Sequence, residues 1–172
     1  LSRPLLVFSR GQRGEPVAVQ LPRHLGEFVD LLRSTLPSSL DFQLEFEPDV
    51  PAVMVDPTQL DQVLMNLCIN ARDAMMPLGG VIHLRSWPEP PPTRNLSRIN
   101  GTLVSTPSRE EYSFSVSDGG CGVSPAIMDR IFDPFFTTKP NGKGTGLGLF
   151  VAKRIVEQHN GRITLTNNFN GG

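Results

Sequence analysis

DPTQLDQVLMNLCINARDAM, residues 56–75, constrains this chain more than any other stretch. Leu60, Val63, Leu64, Leu67, Cys68 and Ala71 recur at helical spacing and form one broad apolar stripe. Asp56 supplies a cap, Pro57 suits the first turn, and Pro77 with the following Gly-Gly ends the helix at about Met76. Such a helix must lie against a core. Yet Asn66 and Asn70 stand four residues apart, so both amides leave the helix from one face. Amides are poor helix formers and costly to bury unpaired. Either they bond within their own neighbourhood, or something polar binds there.

The flanking pattern places this helix in an α+β domain. PRHLGEFVDLLRSTLP carries Leu25, Phe28, Val29, Leu32 and Leu36 at helical spacing. DFQLEFE alternates as a half-buried strand does, AVMVD reads as a second short strand, and VIHLRSW and YSFSVSD read as strand partners. SPAIMDRIF reads as a short helix capped by Ser124, LGLFVAKRIVEQHN as a helix stopped by Gly161, and RITLT as a last strand. Helices and strands do not strictly alternate and hairpins dominate. The expected architecture is a mixed, mainly antiparallel sheet with helices on one face. The segment 88–110 is rich in proline and polar residues and reads as an insertion in a hairpin.

At 172 residues with 38% apolar content, the chain can bury one substantial core. A net charge of −1 gives no reason to expect nucleic acid or an anionic membrane surface. No apolar run is long enough to span a bilayer. Cys68 falls on an apolar helix face and Cys121 in a glycine loop, so a disulfide framework is not expected and a reducing cytosol fits. The chain begins at Leu1 rather than Met and reads as a piece of a longer protein.

Two glycine stretches carry the chemistry. GKGTGLG runs directly into a helix, so backbone N–H groups and the positive helix end point into the loop, which favours phosphate oxygens. Alone it reads as a generic glycine-rich turn. It lacks the preceding strand of a dinucleotide fingerprint and the Lys-Ser/Thr of a P-loop. DGGCG puts Asp118 at a strand end before Gly120 and Gly122, where a carboxylate can accept from an exocyclic amine and a flat base can lie on backbone. Alone it is an Asp-Gly turn. Asn70 offers a neutral oxygen of the kind that suits magnesium, which takes few protein ligands.

The order of these pieces is specific. DQVLMNLCINARDAM, DGGCG, IFDPFFTTK and GTGLGL resemble the asparagine box, first glycine box, phenylalanine box and second glycine box of the ATP-binding catalytic domain of sensor histidine kinases. That family shares a superfamily with DNA gyrase, the MutL proteins and a heat-shock chaperone. The resemblance runs from about Leu21 to Thr166. It implies a two-layer α/β sandwich of the Bergerat type, with ATP held under a lid over residues 133–145. It implies that Asn70 ligates Mg²⁺ and that Asp118 bonds the adenine amine between Gly120 and Gly122. By the same resemblance, Gly144, Thr145, Gly146, Leu147 and Gly148 meet phosphates, and Phe132, Phe135 and Phe136 anchor the lid. Asp73 faces the same way as Asn70, where many members have a nearby phosphate-contacting lysine; Lys139, Arg72 or Lys143 are the candidates to replace it. Hydrolysing members carry glutamate at the place of Asn66. An amide cannot serve as a general base near neutral pH, which suits a phosphate donor.

The resemblance further implies a kinase that donates the γ-phosphoryl of Mg·ATP to a histidine on a separate dimerisation domain, then serves a response regulator receiver domain in the cytoplasm. His24, His83 and His159 lack the surroundings of that acceptor, and structural roles are expected for all three. Residues 1–15 are expected to be the end of a dimerisation helix and a linker, and residues 16–172 the catalytic domain. The alternatives are another ATPase or serine kinase of the superfamily, or a nucleotide-binding regulatory module without catalysis.

Overall fold

The computed structural model describes residues 14–47, 52–88, 96–99, 102–105, 112–140 and 144–167. The expected end of a dimerisation helix, apart from Gly14 and Glu15, lies outside the described residues, as do Lys143 and most of the insertion. The elements are β1 (Val17–Val19), α1 (Leu21–Thr35), β2 (Leu40–Phe46), β3 (Val53–Val55), α2 (Pro57–Met75), β4 (Gly80–Pro88), β5 (Leu96–Ile99), β6 (Thr102–Ser105), β7 (Tyr112–Ser117) and α3 (Gly148–Gln158).

The central ladder runs β2-β4-β7, parallel across β2 and β4 and antiparallel across β4 and β7. The pairs β1–β3 and β5–β6 are antiparallel. Among the described residues the sheets together are therefore mixed and mainly antiparallel, as the hairpin-rich pattern predicts. Alternation in β2 turns Leu40 and Phe42 inward while Asp41, Gln43 and Glu45 stay exposed. On the open face Glu45 and Arg85 are registered partners, joined at 2.8 Å. The other face packs under α1 and α2. Leu25, Val29, Leu32, Leu64, Cys68, Ile82 and Leu84 are its most deeply buried members.

Helix α2 is capped as expected, with Asp56 accepting from the Thr58 N–H at 2.9 Å. It presents three faces. Leu60, Leu64, Cys68, Ala71 and Met75 enter the sheet core, and Val63 and Leu67 meet Ala152 and Ile155 of α3 in a second cluster. At about 100° per residue, Asn66, Asn70 and Asp73 fall together on the remaining side. Packing on two flanks thus fixes the direction of the third.

Three local expectations differ. Residues 125–130 form a 3-10 helix, and Ser124 makes no side-chain cap. Residues 161–167 carry no strand ladder; Asn167 instead clamps Val123, accepting from its N–H at 2.8 Å and donating to its carbonyl at 2.7 Å. Val17–Val19, too short to show a period, forms an unanticipated strand against β3. The histidines are structural where their partners are seen. His24 meets Asp61 at 2.7 Å, linking α1 to α2, and His159 contacts the Ile155 carbonyl at 2.9 Å.

Burial pushes the Cys68 thiol up to about 12, whereas Cys121 is exposed. Because the thiolate is the reactive form, titration with a disulfide reagent should release one equivalent quickly from the native protein. The second should appear only after unfolding. Two fast thiols would contradict this packing of α2.

Candidate functional site

The polar side of α2 acts as a spine, and two loops close on it. The Cβ position of Gly148, at the start of α3, lies 3.5 Å from Asn66 Oδ1. One end of the spine therefore abuts the N-terminus of α3. The residue preceding that helix is Leu147, which offers no side-chain acceptor to its first N–H groups. Such an end favours an anion. Thr145 Oγ1 accepts from the Leu147 N–H at 3.3 Å, and Gly144 lies against Thr137 and Lys139.

At the other end the loop after β7 touches Ala74. Gly120 is buried, and a Cβ there would stand 2.6 Å from Ala74 Cβ and 2.7 Å from Asp118 Oδ1. Only glycine permits that approach. Asp118 Oδ1 accepts from the Gly120 N–H at 2.8 Å, which holds the carboxylate at the loop base, and Gly122 turns the chain at φ 67°. From Asn66 to Ala74 α2 rises about 12 Å, at 1.5 Å per residue. The spine is thus suited to an elongated ligand with its anionic end at α3 and its flat end at Gly120.

Between the two ends sits a charge cluster. Lys139 Nζ donates to Asn70 Oδ1 at 3.2 Å and to Asp73 Oδ2 at 2.6 Å. Arg72 donates to Asp73 Oδ1 through Nε at 2.8 Å and a terminal nitrogen at 2.6 Å. Burial alone would raise the Asp73 carboxyl; the hydrogen bonds and charges of Lys139 and Arg72 outweigh it and hold it below its ordinary 3.8. The stabilisation this lends is fully present above that ordinary value and is lost as pH falls through the lowered one.

These oxygens fit magnesium. A cationic ammonium already rests on the Asn70 carboxamide oxygen, a hard neutral donor one turn along α2 from Asn66, which abuts the anion-favouring helix end. Among the described residues no group of three His, Cys, Asp or Glu could hold a metal by itself. A metal on Asn70 would complete its shell from phosphates and water.

The phenylalanines part company. Phe132 lines a separate open cleft on the outer face of α3 with Phe150, Arg154 and Glu157, and the Lys153 ammonium lies 5.5 Å over its ring. It stands beside α3. Phe135 is 75% exposed, with backbone φ 65°. Its backbone braces Gly146, itself at φ 66°. Phe136 is half-buried, with the Arg130 guanidinium 4.7 Å over its ring. The Arg72–Asp73–Lys139 cluster escapes sequence reading as a unit, because its outer members lie on segments that no periodicity connects.

Residues 55–172 match the family model described as histidine kinase-, DNA gyrase B- and HSP90-like ATPase. The chain is 37% identical over 166 residues to the sensor kinase CckA of Brucella abortus, covering 95% of this chain and 17% of that protein. It is 34% identical over 138 residues to the sensory histidine kinase/phosphatase NtrB of Escherichia coli O157:H7, covering 80% of this chain and 36% of that one. It thus spans only a minor part of these relatives. The catalytic domain of histidine kinase ThkA, solved nucleotide-free, superposes with a TM-score of 0.69 at 30% identity, covering 91% of this chain and 90% of that one. A structure of ThkA in complex with the response regulator protein TrrA also matches, with a TM-score of 0.65 at 26% identity, over 91% of this chain and 39% of that one. With its sandwich, its amide-bearing helix and its glycine-opened α3, the chain belongs to the histidine kinase-, gyrase B- and HSP90-like ATPase family, as an ATP-binding catalytic domain of the histidine kinase type.

Proposed function

We propose that this domain, residues 16–172, donates the γ-phosphoryl of Mg·ATP to a histidine on a separate dimerisation domain of the same parent. A response regulator receiver domain then takes the phosphoryl group onward. The observation that carries this reading is the spine of α2, with Asn66 at the α3 end, Asn70 beside a cation in the middle and Ala74 against Gly120. Asp118 selects the purine by accepting from its exocyclic amine, and Gly120 and Gly122 let the ring lie against backbone. The first N–H groups of α3, with Gly144, Thr145, Gly146 and Leu147 leading into them, orient the phosphates. The lid is assigned to residues 133–145, of which 141–143 lie outside the described residues.

Asn70 would hold Mg²⁺, which when bound neutralises phosphate charge as the phosphoryl group moves. Lys139 and Asp73 set the charge beside it. Asn66 donates or accepts a hydrogen bond but takes no proton from water, so it favours transfer to an incoming imidazole over hydrolysis. Catalysis on this chain is positioning and charge placement. We place the domain in the cytoplasm; among the described residues no helix is long and apolar enough to cross a membrane.

The test is phosphotransfer. Incubated with γ-labelled ATP, Mg²⁺ and the helix-pair domain of its parent, the protein should label a histidine with an acid-labile, alkali-stable phosphate. The domain alone should hydrolyse ATP very slowly. Brisk hydrolysis without label on histidine would overturn the donor reading.

A further inference from the structure

We propose that Lys139 and Asp73 form a latch, in which the lysine ammonium covers the Asn70 carboxamide oxygen and must leave before a divalent cation can take it. This inference rests on the reading of Asn70 as the magnesium residue. Loading of metal-bound nucleotide is then an exchange of one cation for another rather than entry into an open site.

The geometry points this way on three counts. First, Lys139 divides its ammonium between two acceptors on adjacent turns of α2, at 3.2 Å to Asn70 Oδ1 and 2.6 Å to Asp73 Oδ2. Magnesium binds oxygen at roughly 2.1 Å. A dication on the same oxygen would stand within a few ångströms of the ammonium, so the two exclude each other electrostatically. Second, Asp73 is held independently of the latch. Arg72 takes its Oδ1 through two bonds and leaves Oδ2 to Lys139. The carboxylate stays oriented whether or not the lysine is present, which makes it a fixed keeper for a movable bolt. Third, the pair is not a solvated surface contact: the Lys139 side chain is 31% exposed and that of Asp73 25%. It ties the segment carrying Pro134 and Phe135, both exposed, to the helix that bears Asn70.

Two consequences follow. Nucleotide without metal has no dication with which to displace the ammonium, so the latch disfavours metal-free ATP. Its release frees Lys139 for the phosphates just when the metal has arrived. Asp73 is here a positioning residue, acting through Lys139.

Hydrogen exchange of the amides of residues 133–140, read on the nucleotide-free protein, tests the latch directly. Asp73→Asn and Lys139→Gln should each speed that exchange about three- to tenfold, the scale of a part-exposed ion pair with good geometry. The double variant should exchange no faster than the quicker single one, because both remove the same contact. Asp73→Asn, which keeps the lysine, should also bind the Mg²⁺ complex of a non-hydrolysable ATP analogue about three- to tenfold more tightly, since the competent state no longer competes with a closed one. Lys139→Gln lies in a loop and leaves the core intact, so it guards against a folding defect in the other variant. Unchanged exchange in Lys139→Gln overturns the latch, whatever Asp73→Asn does. Failure of the wild-type protein to bind the analogue would instead sink the nucleotide reading, while the exchange comparison still decides whether the contact exists.

Discussion

Replacing Asn70 with alanine should lower phosphotransfer to the parent's histidine by about a hundred- to a thousandfold, the scale of removing one preorganised electrostatic contact from a transfer site. The fold should not suffer. Asn70 lies within α2 and is half-buried, and it belongs to neither apolar cluster. Alanine is the better helix former by roughly half a kcal/mol, so the melting temperature should hold or rise slightly. Lys139 keeps its 2.6 Å bond to Asp73 after the change, so the loop above α2 stays tethered. Loss of transfer with retained stability would therefore report the missing carboxamide oxygen alone. Raising Mg²⁺ should recover part of the activity, because the phosphates and water that complete the metal shell remain. Transfer within threefold of wild type would remove Asn70 from the metal site and with it the assignment of the polar face of α2.

What could be read from the chain alone divides by range. The limits of α2 are written locally, in Asp56-Pro57 at one end and Pro77 beyond the other, and its stripe left Asn66 and Asn70 as the residues packing did not explain. β2 was equally plain, because its alternation spans seven residues. β1 was not, because three residues carry no period. The last strand failed differently: Arg162–Thr166 has the composition of a strand, but ladder bonds depend on a partner edge rather than on composition. At the site, the order of the four boxes named the participants better than any single motif did. It could not supply the ion pair between Asp73 and Lys139, which are 66 residues apart. Nor could it show the Phe135 backbone bracing Gly146, since that close approach joins residues eleven apart in a loop without period. Local signals fix the elements; the charge cluster exists only after α2 and the loop before α3 have met.

That backbone contact supports the second large effect. Gly146→Val should weaken binding of the Mg²⁺ complex of a non-hydrolysable ATP analogue by more than about thirtyfold, a loss of roughly 2 kcal/mol or more. Two costs combine. Gly146 sits at φ 66°, a left-handed conformation that a β-branched residue adopts only with strain, at about 1–2 kcal/mol. Its Cβ would also press on the Phe135 backbone, 2.6 Å from the carbonyl oxygen and 2.7 Å from Cα. Main chain cannot swing aside as a side-chain tip can, so the two strands of the loop must part, at a further 1–3 kcal/mol or so. Phe135 is itself left-handed, at φ 65°, and has no spare conformation with which to absorb the push. The damage should stay local. Neither residue belongs to the two buried clusters, so thermal unfolding should shift far less than affinity does. Gly146→Ala should fall between the two, carrying the left-handed penalty and the first atom of the clash without the branch. If both variants bind the analogue as wild type does, then the Phe135–Gly146 brace does not shape the entrance to α3, and the phosphate-orienting role of that helix end would have to be carried by residues further from it.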